Sequence, residues 1–361
     1  MPHRTAWLRL LLTPGLGRTS LSRLVDCFAD PQSIIEAAAE GWPQLPALRR
    51  DLAREIPGEG DPRVAKALQR LDQQDVRLIS GVDDDYPEPL RQIPDPPVVL
   101  FVRGLWPPPA AAIAIVGTRR PSPTGTMIAA DFAEQLAEAG LAIVSGLARG
   151  IDAAAHRGAL QGGGLTLAVL GCGIDRVYPP ENTRLHRQIA EHGTLLSEYL
   201  PGTPPMPGHF PGRNRIISGL TRGVLVVEAA VDSGSLITAD FALDQGREVM
   251  AVPGNITQPT SYGPNLLIKQ GAQPVTDVSD ILNLLGQAPQ WQPCRRREVR
   301  VVEELGEPAS SLLASLDTTP RHIDHLALES GLTPMNLFDI LLHLELQGLV
   351  RQLPGARFVR C

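Results

Sequence analysis

Between Ala112 and Val252 the chain alternates short apolar runs with segments of helical spacing, and this alternation limits its possible folds more than any other feature. The runs are Ala112–Val116, Leu141–Val144, Leu165–Leu170, Thr194–Leu196, Val224–Val227 and Val249–Val252, bounded by glycine, serine or proline. Among them lie Ala129–Ala139, Ile151–Gln161, Arg184–His192 and Leu236–Gln245, which have helical character. A strand that is apolar throughout is buried on both faces, and helices between such strands set them parallel. The prediction is an α/β fold: a Rossmann-like, doubly wound, mostly parallel sheet within residues 81–286. Val98–Val102 follows a run of prolines and is predicted as an edge strand.

Smaller domains are predicted on either side. In residues 1–80, Trp7, Leu8, Leu11 and Leu12 have helical spacing, Pro14-Gly15-Leu16-Gly17 breaks that helix, and a second helix starts near Ser20. This describes a small helical domain, SAM-like or helix-hairpin-helix-like, whose hairpin is either a phosphate contact or a tight turn. Residues 287–315 read as a linker carrying Pro289, Pro293 and the run Arg295-Arg296-Arg297. Residues 316–361 read as a winged helix. A helix Ile323–Glu329 precedes a second that starts at Thr333-Pro334 and runs to Gln347, and Leu349–Gln352 and Arg357–Arg360 form a hairpin. The second helix holds Asp339 and Glu345 but no lysine or arginine, so it is poorly suited to reading a major groove and better suited to protein contact.

Formal net charge is −6, so any nucleic-acid site is a local basic patch on an acidic body. All of the 33 basic residues except Lys66 and Lys269 are arginine, which suits bidentate phosphate contacts and equally suits a GC-rich codon bias. Cys27, Cys172, Cys294 and Cys361 have no metal-ligand spacing, so no metal is expected and a reducing cytoplasm fits. The apolar run Ala6–Leu12 is short and broken by Arg9, which argues against a signal peptide, and no stretch is long enough for a membrane span.

In an open α/β sheet, ligands bind beyond the carboxyl ends of the strands. The first run is followed by Gly117, Thr118, Arg119 and Arg120, and the second by Ser145, Gly146, Leu147, Ala148, Arg149 and Gly150 at the start of a helix. Arg213, Asn214 and Arg215 lie near a later crossover, and Ser233, Gly234 and Ser235 open the helix after Val224–Val227. Small residues admit a ligand to the backbone, free N–H groups at a helix start attract anions, and arginines neutralise phosphate. One such loop is a weak signal, but their recurrence at successive strand ends is a strong one. The chain has neither GxGxxG nor GxxxxGK[ST], so no NAD or hydrolysed nucleotide is indicated and no cofactor is expected.

Several of these stretches resemble the successive motifs of the DprA family of DNA-processing proteins: Ile115–Arg119, Ser145–Leu160, Ala168–Pro179, Phe210–Ile217, Ser233–Ala239 and Arg247–Gly254. They stand in the family's order, and Ile323–Val359 resembles the family's winged helix. The resemblance implies a non-catalytic homodimer of natural transformation that binds and protects incoming single-stranded DNA and helps load RecA for recombination. It assigns phosphate binding to Gly117, Arg119, Ser145, Gly146, Arg149, Gly150, Arg213, Asn214, Arg215, Ser233, Gly234 and Ser235. Arg184 and Lys269 are candidates for lengthening the basic track. Phe210 is either a base-stacking ring or a plug in the core. Aromatic residues are only 4%, which speaks against an extended stacking platform.

The main alternative is an enzyme. The same Rossmann variant resembles that of phosphoribohydrolases that cut nucleoside monophosphates, but these carry a PGGxGT loop beside a catalytic glutamate, and Glu228–Ala239 lacks that loop. His156 is read as structural or phosphate-contacting rather than as a general base. Glu228 and Asp232 are read as loop-capping rather than as an acid pair.

Overall fold

The structure is a computed structural model and describes residues 3–28, 30–43, 48–108, 111–286, 307–316, 320–346, 349–353 and 355–360. The chain forms two compact units, Met1–Ala288 and Pro289–Cys361.

The larger unit is built on a nine-stranded sheet: β1 (Arg77–Ser80), β2 (Val99–Gly104), β3 (Ala112–Val116), β4 (Ala142–Ser145), β5 (Thr166–Leu170), β6 (Thr194–Ser197), β7 (Gly223–Val226), β8 (Glu248–Ala251) and β9 (Gln273–Pro274). Their order across the sheet is β1-β2-β6-β5-β4-β3-β7-β8-β9. Strands β3 to β9 pair in parallel, and β2 pairs antiparallel with both β1 and β6. All residues of β3, β4, β5, β6 and β7 are buried, as expected of strands covered by helices on both faces. From β3 the chain steps to β4, β5 and β6 on one side, whereas β7 pairs with β3 on the other side and leads to β8 and β9. The order therefore reverses between β3 and β7, and a crevice opens at their carboxyl ends.

Two expectations are corrected here. Strand β2 is not an edge strand, because the short β1 covers its outer side. Strand β1 itself falls within the first 80 residues, where the sequence predicts helices alone. Its four residues, Arg-Leu-Ile-Ser, are too short to show a period of two.

The helices Arg4–Leu11, Arg18–Cys27, Pro31–Glu40 and Pro62–Gln73 precede the sheet. Asp30 and Asp61 cap two of them, each followed by proline at the first helical position. Their buried Trp7, Leu8, Leu24, Ile34 and Leu71 join one cluster with Phe101, Ile189 and Leu195 of the sheet layer. Each fully buried leucine there contributes about 2 kcal/mol, so the amino-terminal helices share the core of the larger unit.

In the smaller unit, helices Glu307–Ser315, Ile323–Ser330 and Pro334–Leu346 pack on a three-stranded antiparallel sheet of Arg321–His322, Val350–Leu353 and Arg357–Arg360. Leu312, Leu326, Leu337, Leu341, Leu344 and Phe358 form its core. The helix Glu307–Ser315 lies in the stretch read from sequence as linker. It belongs to the fold because Leu312 and Leu313 bury against the other two helices, and the rest of that stretch, including Arg295-Arg296-Arg297, lies outside the described residues. The helix Pro334–Leu346 exposes Met335, Phe338 and Leu342, an apolar rather than a basic surface.

Candidate nucleic-acid interface

A cleft of about 990 Å³ opens at the strand-order reversal. Its walls are the loops after β3 and β7, the helix His209–Gly219 and the start of the helix Gly234–Asp244.

The loop after β3 is pressed against its neighbours. A Cβ on Gly117 would lie 2.6 Å from Ile151 Cγ1 and 2.8 Å from the Glu228 carbonyl oxygen, so only glycine fits. The Thr118 N–H donates to that same carbonyl at 2.6 Å. Arg119 and Arg120 follow, both exposed at the mouth of the cleft. Beyond them, the Ser122 N–H and hydroxyl donate to the Glu228 carboxylate, while Ser122 caps the helix Pro123–Glu138. Glu228 thus caps a loop, though through a serine rather than an arginine.

The loop after β4 turns inward. Ser145 is fully buried and its hydroxyl donates to the Ile115 carbonyl at 2.7 Å. Gly146 and Ala148 donate their N–H groups to the Asp152 carboxylate at 3.1 and 3.3 Å. Leu147 holds a left-handed φ of 53° with its N–H donated to His156 Nε2 at 3.3 Å. The ring proton therefore sits on Nδ1, which donates to Thr166 Oγ1 at 2.7 Å, and the Thr166 hydroxyl donates onward to the Ile143 carbonyl. Burial and nearby arginines push His156 down to about 3, so it is neutral and structural. Gly150 takes φ 77° and starts the helix Ile151–Gln161. Arg149 pairs with Glu181 at the surface.

The segment with Arg213, Asn214 and Arg215 is a helix, His209–Gly219, and all three side chains turn inward. Pro211 is accommodated because it sits in the first turn, where N–H groups lack helical partners anyway. Arg213 is 5% exposed and donates to the Gly146 and Val169 carbonyls. Burial raises the Asp152 carboxyl above the usual range, and the Arg213 charge beside it pulls the other way. The Asn214 amide donates to the Gly234 carbonyl at 3.1 Å. Arg215 is buried between Asp95 at 2.9 Å and Glu198 at 2.6 Å, away from the cleft. Ser233 caps the helix Gly234–Asp244 by accepting the Ser235 N–H.

The structure thus brings Gly117, Arg119, Phe210, Arg213, Asn214, Ser233, Gly234 and Ser235 to the cleft wall. Ser145, Gly146, Gly150 and Arg215 support the site from behind, and Arg149 stands outside its lining. Lys269 ends the helix Tyr262–Lys269, whose first residue lines the cleft, so it lies about 10 Å away along that axis. Arg184 is exposed on the helix Thr183–His192 and does not line the cleft.

Phe210 does not plug the core. It is half-buried at the cleft, its ring 5.5 Å from Tyr178 and 5.6 Å from the Arg119 guanidinium. Tyr178 and Tyr262 also line the cleft, so three aromatic rings stand at the site despite the low total. Tyr178 lies in the motif Ala168–Pro179, which the sequence singles out. Tyr262 carries no such signal, because the fold alone brings it to the cleft.

The family described as DNA recombination-mediator protein A matches residues 77–286, and the DprA winged helix domain matches residues 298–356. Protein Smf of Escherichia coli (strain K12) is 38% identical across 97% of this chain and 94% of its own. The X-ray structure of DNA processing protein A from Streptococcus pneumoniae superposes with a TM-score of 0.65 at 36% identity, over 77% of this chain and 97% of that one. DNA processing protein A from Helicobacter pylori, described for its single-stranded DNA binding mode, superposes with a TM-score of 0.53 at 30% identity, over 58% of this chain and 95% of that one. The inward-turned arginine helix and the glycine-tight loops after β3 and β4 are thus carried on a chain that belongs to the DprA/Smf family of DNA recombination-mediator proteins.

Proposed function

We propose that this cleft holds single-stranded DNA by its phosphates, and that the protein is a non-catalytic factor of natural transformation that protects incoming strands and helps load RecA. The carrying observation is the placing of Arg119 and Arg120 at the mouth of a cleft that also contains the start of the helix Gly234–Asp244. Exposed guanidinium groups and a helix start both attract phosphate oxygens. Tyr178, Phe210 and Tyr262 offer flat faces to bases, and stacking of this kind is sequence-tolerant. The Helicobacter pylori neighbour supports the reading of single strands, the family resemblance extends it to RecA and a homodimer, and the cysteine pattern suits the cytoplasm. Among the described residues no helix is long and apolar enough to cross a membrane.

A binding role rather than catalysis is supported by how the ionisable groups around the cleft are used. Glu228 holds Ser122, Asp152 holds two backbone N–H groups, and both nitrogens of His156 are bonded, whereas Asp232, read from sequence as loop-capping too, stands exposed in the cleft lining. Burial pushes the Cys172 thiol up to about 11, which keeps it protonated and unreactive.

The test is anisotropy of fluorescent single- and double-stranded oligonucleotides at several salt concentrations, for wild type and Arg119→Ala/Arg120→Ala. Single strands should bind in preference, and the variant should flatten the log–log salt slope by about 0.7 for each phosphate it no longer neutralises. Equal affinity for duplex, or a slope untouched by the variant, would overturn the reading. Release of free base from AMP would instead favour the phosphoribohydrolase.

A further inference from the structure

A second hollow, of about 330 Å³, lies in the larger unit between the helix Thr183–His192, β2 and the loop after β5. The two adjoin in sequence, since Tyr178 lines the cleft and Val177 lines the hollow. Three basic side chains meet there: half-buried Arg103 from β2, and buried His186 and exposed Arg187 from the helix. Arg103 and Arg187 have no hydrogen-bond or ion-pair partner among the described residues. His186 is 7% exposed, its ring bonds the Ile174 backbone, and Nε2 is buried without a partner. With the ring proton on Nδ1 in that bond, neutral Nε2 is an acceptor, and a phosphate oxygen can bond it only once the ring takes up a second proton.

Two carboxylates, Asp175 and Glu191, also line the hollow. Asp175 accepts the Gly202 N–H at 2.6 Å, and Glu191 is exposed near the far end of the helix. Burial, with the Arg103 charge nearby, holds the His186 imidazole below its ordinary value. Arg184, exposed one turn before Arg187, continues the basic face towards the start of the helix.

We propose that this hollow is a second phosphate site on the path of the same strand: single-stranded DNA leaving the cleft past Tyr178 lays a phosphate among Arg103, His186 and Arg187. The proposal rests on the reading of the cleft as a single-strand site and adds a direction of travel to it. The volume is at the lower end of ordinary ligand pockets, enough for a phosphate and its sugar. A phosphate oxygen beside His186 offsets the Arg103 charge and draws a proton onto Nε2, so this contact strengthens as pH falls towards the imidazole range.

The experiment compares thymidine oligonucleotides of about 5 and about 20 nucleotides, lengths that span short and long single-strand footprints. Wild type, Arg187→Ala and Arg103→Gln/Arg187→Ala are titrated with each. The short strand reports the cleft and only the long one reaches the hollow. The double variant should lose about tenfold in affinity for the long strand, the worth of a charged hydrogen bond, and nothing for the short one. Equal loss at both lengths, or none at either, would overturn the proposal. Failure of the short strand to bind wild type would overturn the cleft reading and this one with it. The side-chain nitrogen resonance of His186 separates the sources of phosphate. It should shift with the long strand and not with the short. A shift with inorganic phosphate but not with the long strand would make the hollow a free-phosphate site and sink the proposal.

Discussion

Arg213 donates to the Gly146 carbonyl oxygen at 2.6 Å, tying the helix His209–Gly219 to the loop after β4. The same nitrogen reaches the Val169 carbonyl of β5, so one buried guanidinium fastens two strand ends beneath the cleft. Arg213→Met should leave both carbonyls buried and unpaired and cost about 3 kcal/mol, since each orphaned acceptor costs roughly 1–3 kcal/mol. Arg213→Lys should recover only part of the loss, because one ammonium nitrogen can donate to both carbonyls but cannot replace the Nε–H bond to Asn214 Oδ1 at 3.2 Å. A Cβ on Gly146 would fall on this guanidinium. Gly146→Ala should therefore show the same defect, and the pair should be strongly non-additive in urea unfolding. Additive losses would mean that the two residues act separately.

His156 carries a pH dependence whose sign follows from its bonds. The unfolded chain takes up this proton near the ordinary 6.5, and the folded protein only near 3. Between those values the unfolded state holds more protons, so stability falls as pH drops, by at most about 1.4 kcal/mol per pH unit. His156→Gln should be less stable at pH 7, because Leu147 and Thr166 are left without a matched partner, yet should be less sensitive to acidification. Urea midpoints from pH 7 to pH 4 check this. Parallel curves for the two proteins would show that His156 is not the titrating group.

The parallel core was legible because a strand buried on both faces must be apolar throughout, and β3, β4, β5 and β7 have no other reading. β1 was not, since four residues carry too little pattern, whereas β2 was legible as a strand and misplaced only as an edge, because prolines precede it. The chemistry of the site was legible at Gly117 and Arg119, where residue type and place after a strand agree. It was not legible at Arg215, because burial is not written in an arginine. Its partners Asp95 and Glu198 stand 120 and 17 residues away. Glycine and proline in Phe210–Gly212 suggested a loop and concealed a helix that turns the arginines inward.

Phe210 offers a direct test of base stacking. Replacing one stacked aromatic costs about 1–3 kcal/mol per base. Phe210→Ala should weaken single-strand binding about fivefold to a hundredfold, while Phe210→Tyr retains most of it. Because the ring is half-buried over Gly171, the thermal midpoint should move little. A loss of stability of about 3–5 kcal/mol, the range for a buried Phe→Ala, would show that the ring serves the core instead.

Arg215 separates structural from phosphate-binding arginines. Its side chain is 3% exposed and bridges Asp95 and Glu198, and Arg18 of the amino-terminal helices reaches the same two carboxylates. Burial pushes Glu198 above the usual carboxylate range, with Arg215 and Arg18 holding it charged. Removing Arg215 alone leaves that charge buried with only the more distant Arg18, at 3.8 Å. Arg215→Met should therefore cost about 3–5 kcal/mol, and Arg215→Met/Glu198→Leu should recover most of the loss, because an apolar pair often replaces a buried ion pair at little cost. The recovered protein should keep the wild-type salt slope for single-stranded DNA. A slope flatter by about 0.7, the contribution of one neutralised phosphate, would show that Arg215 leaves its carboxylates to meet the strand, and would return it to the binding surface.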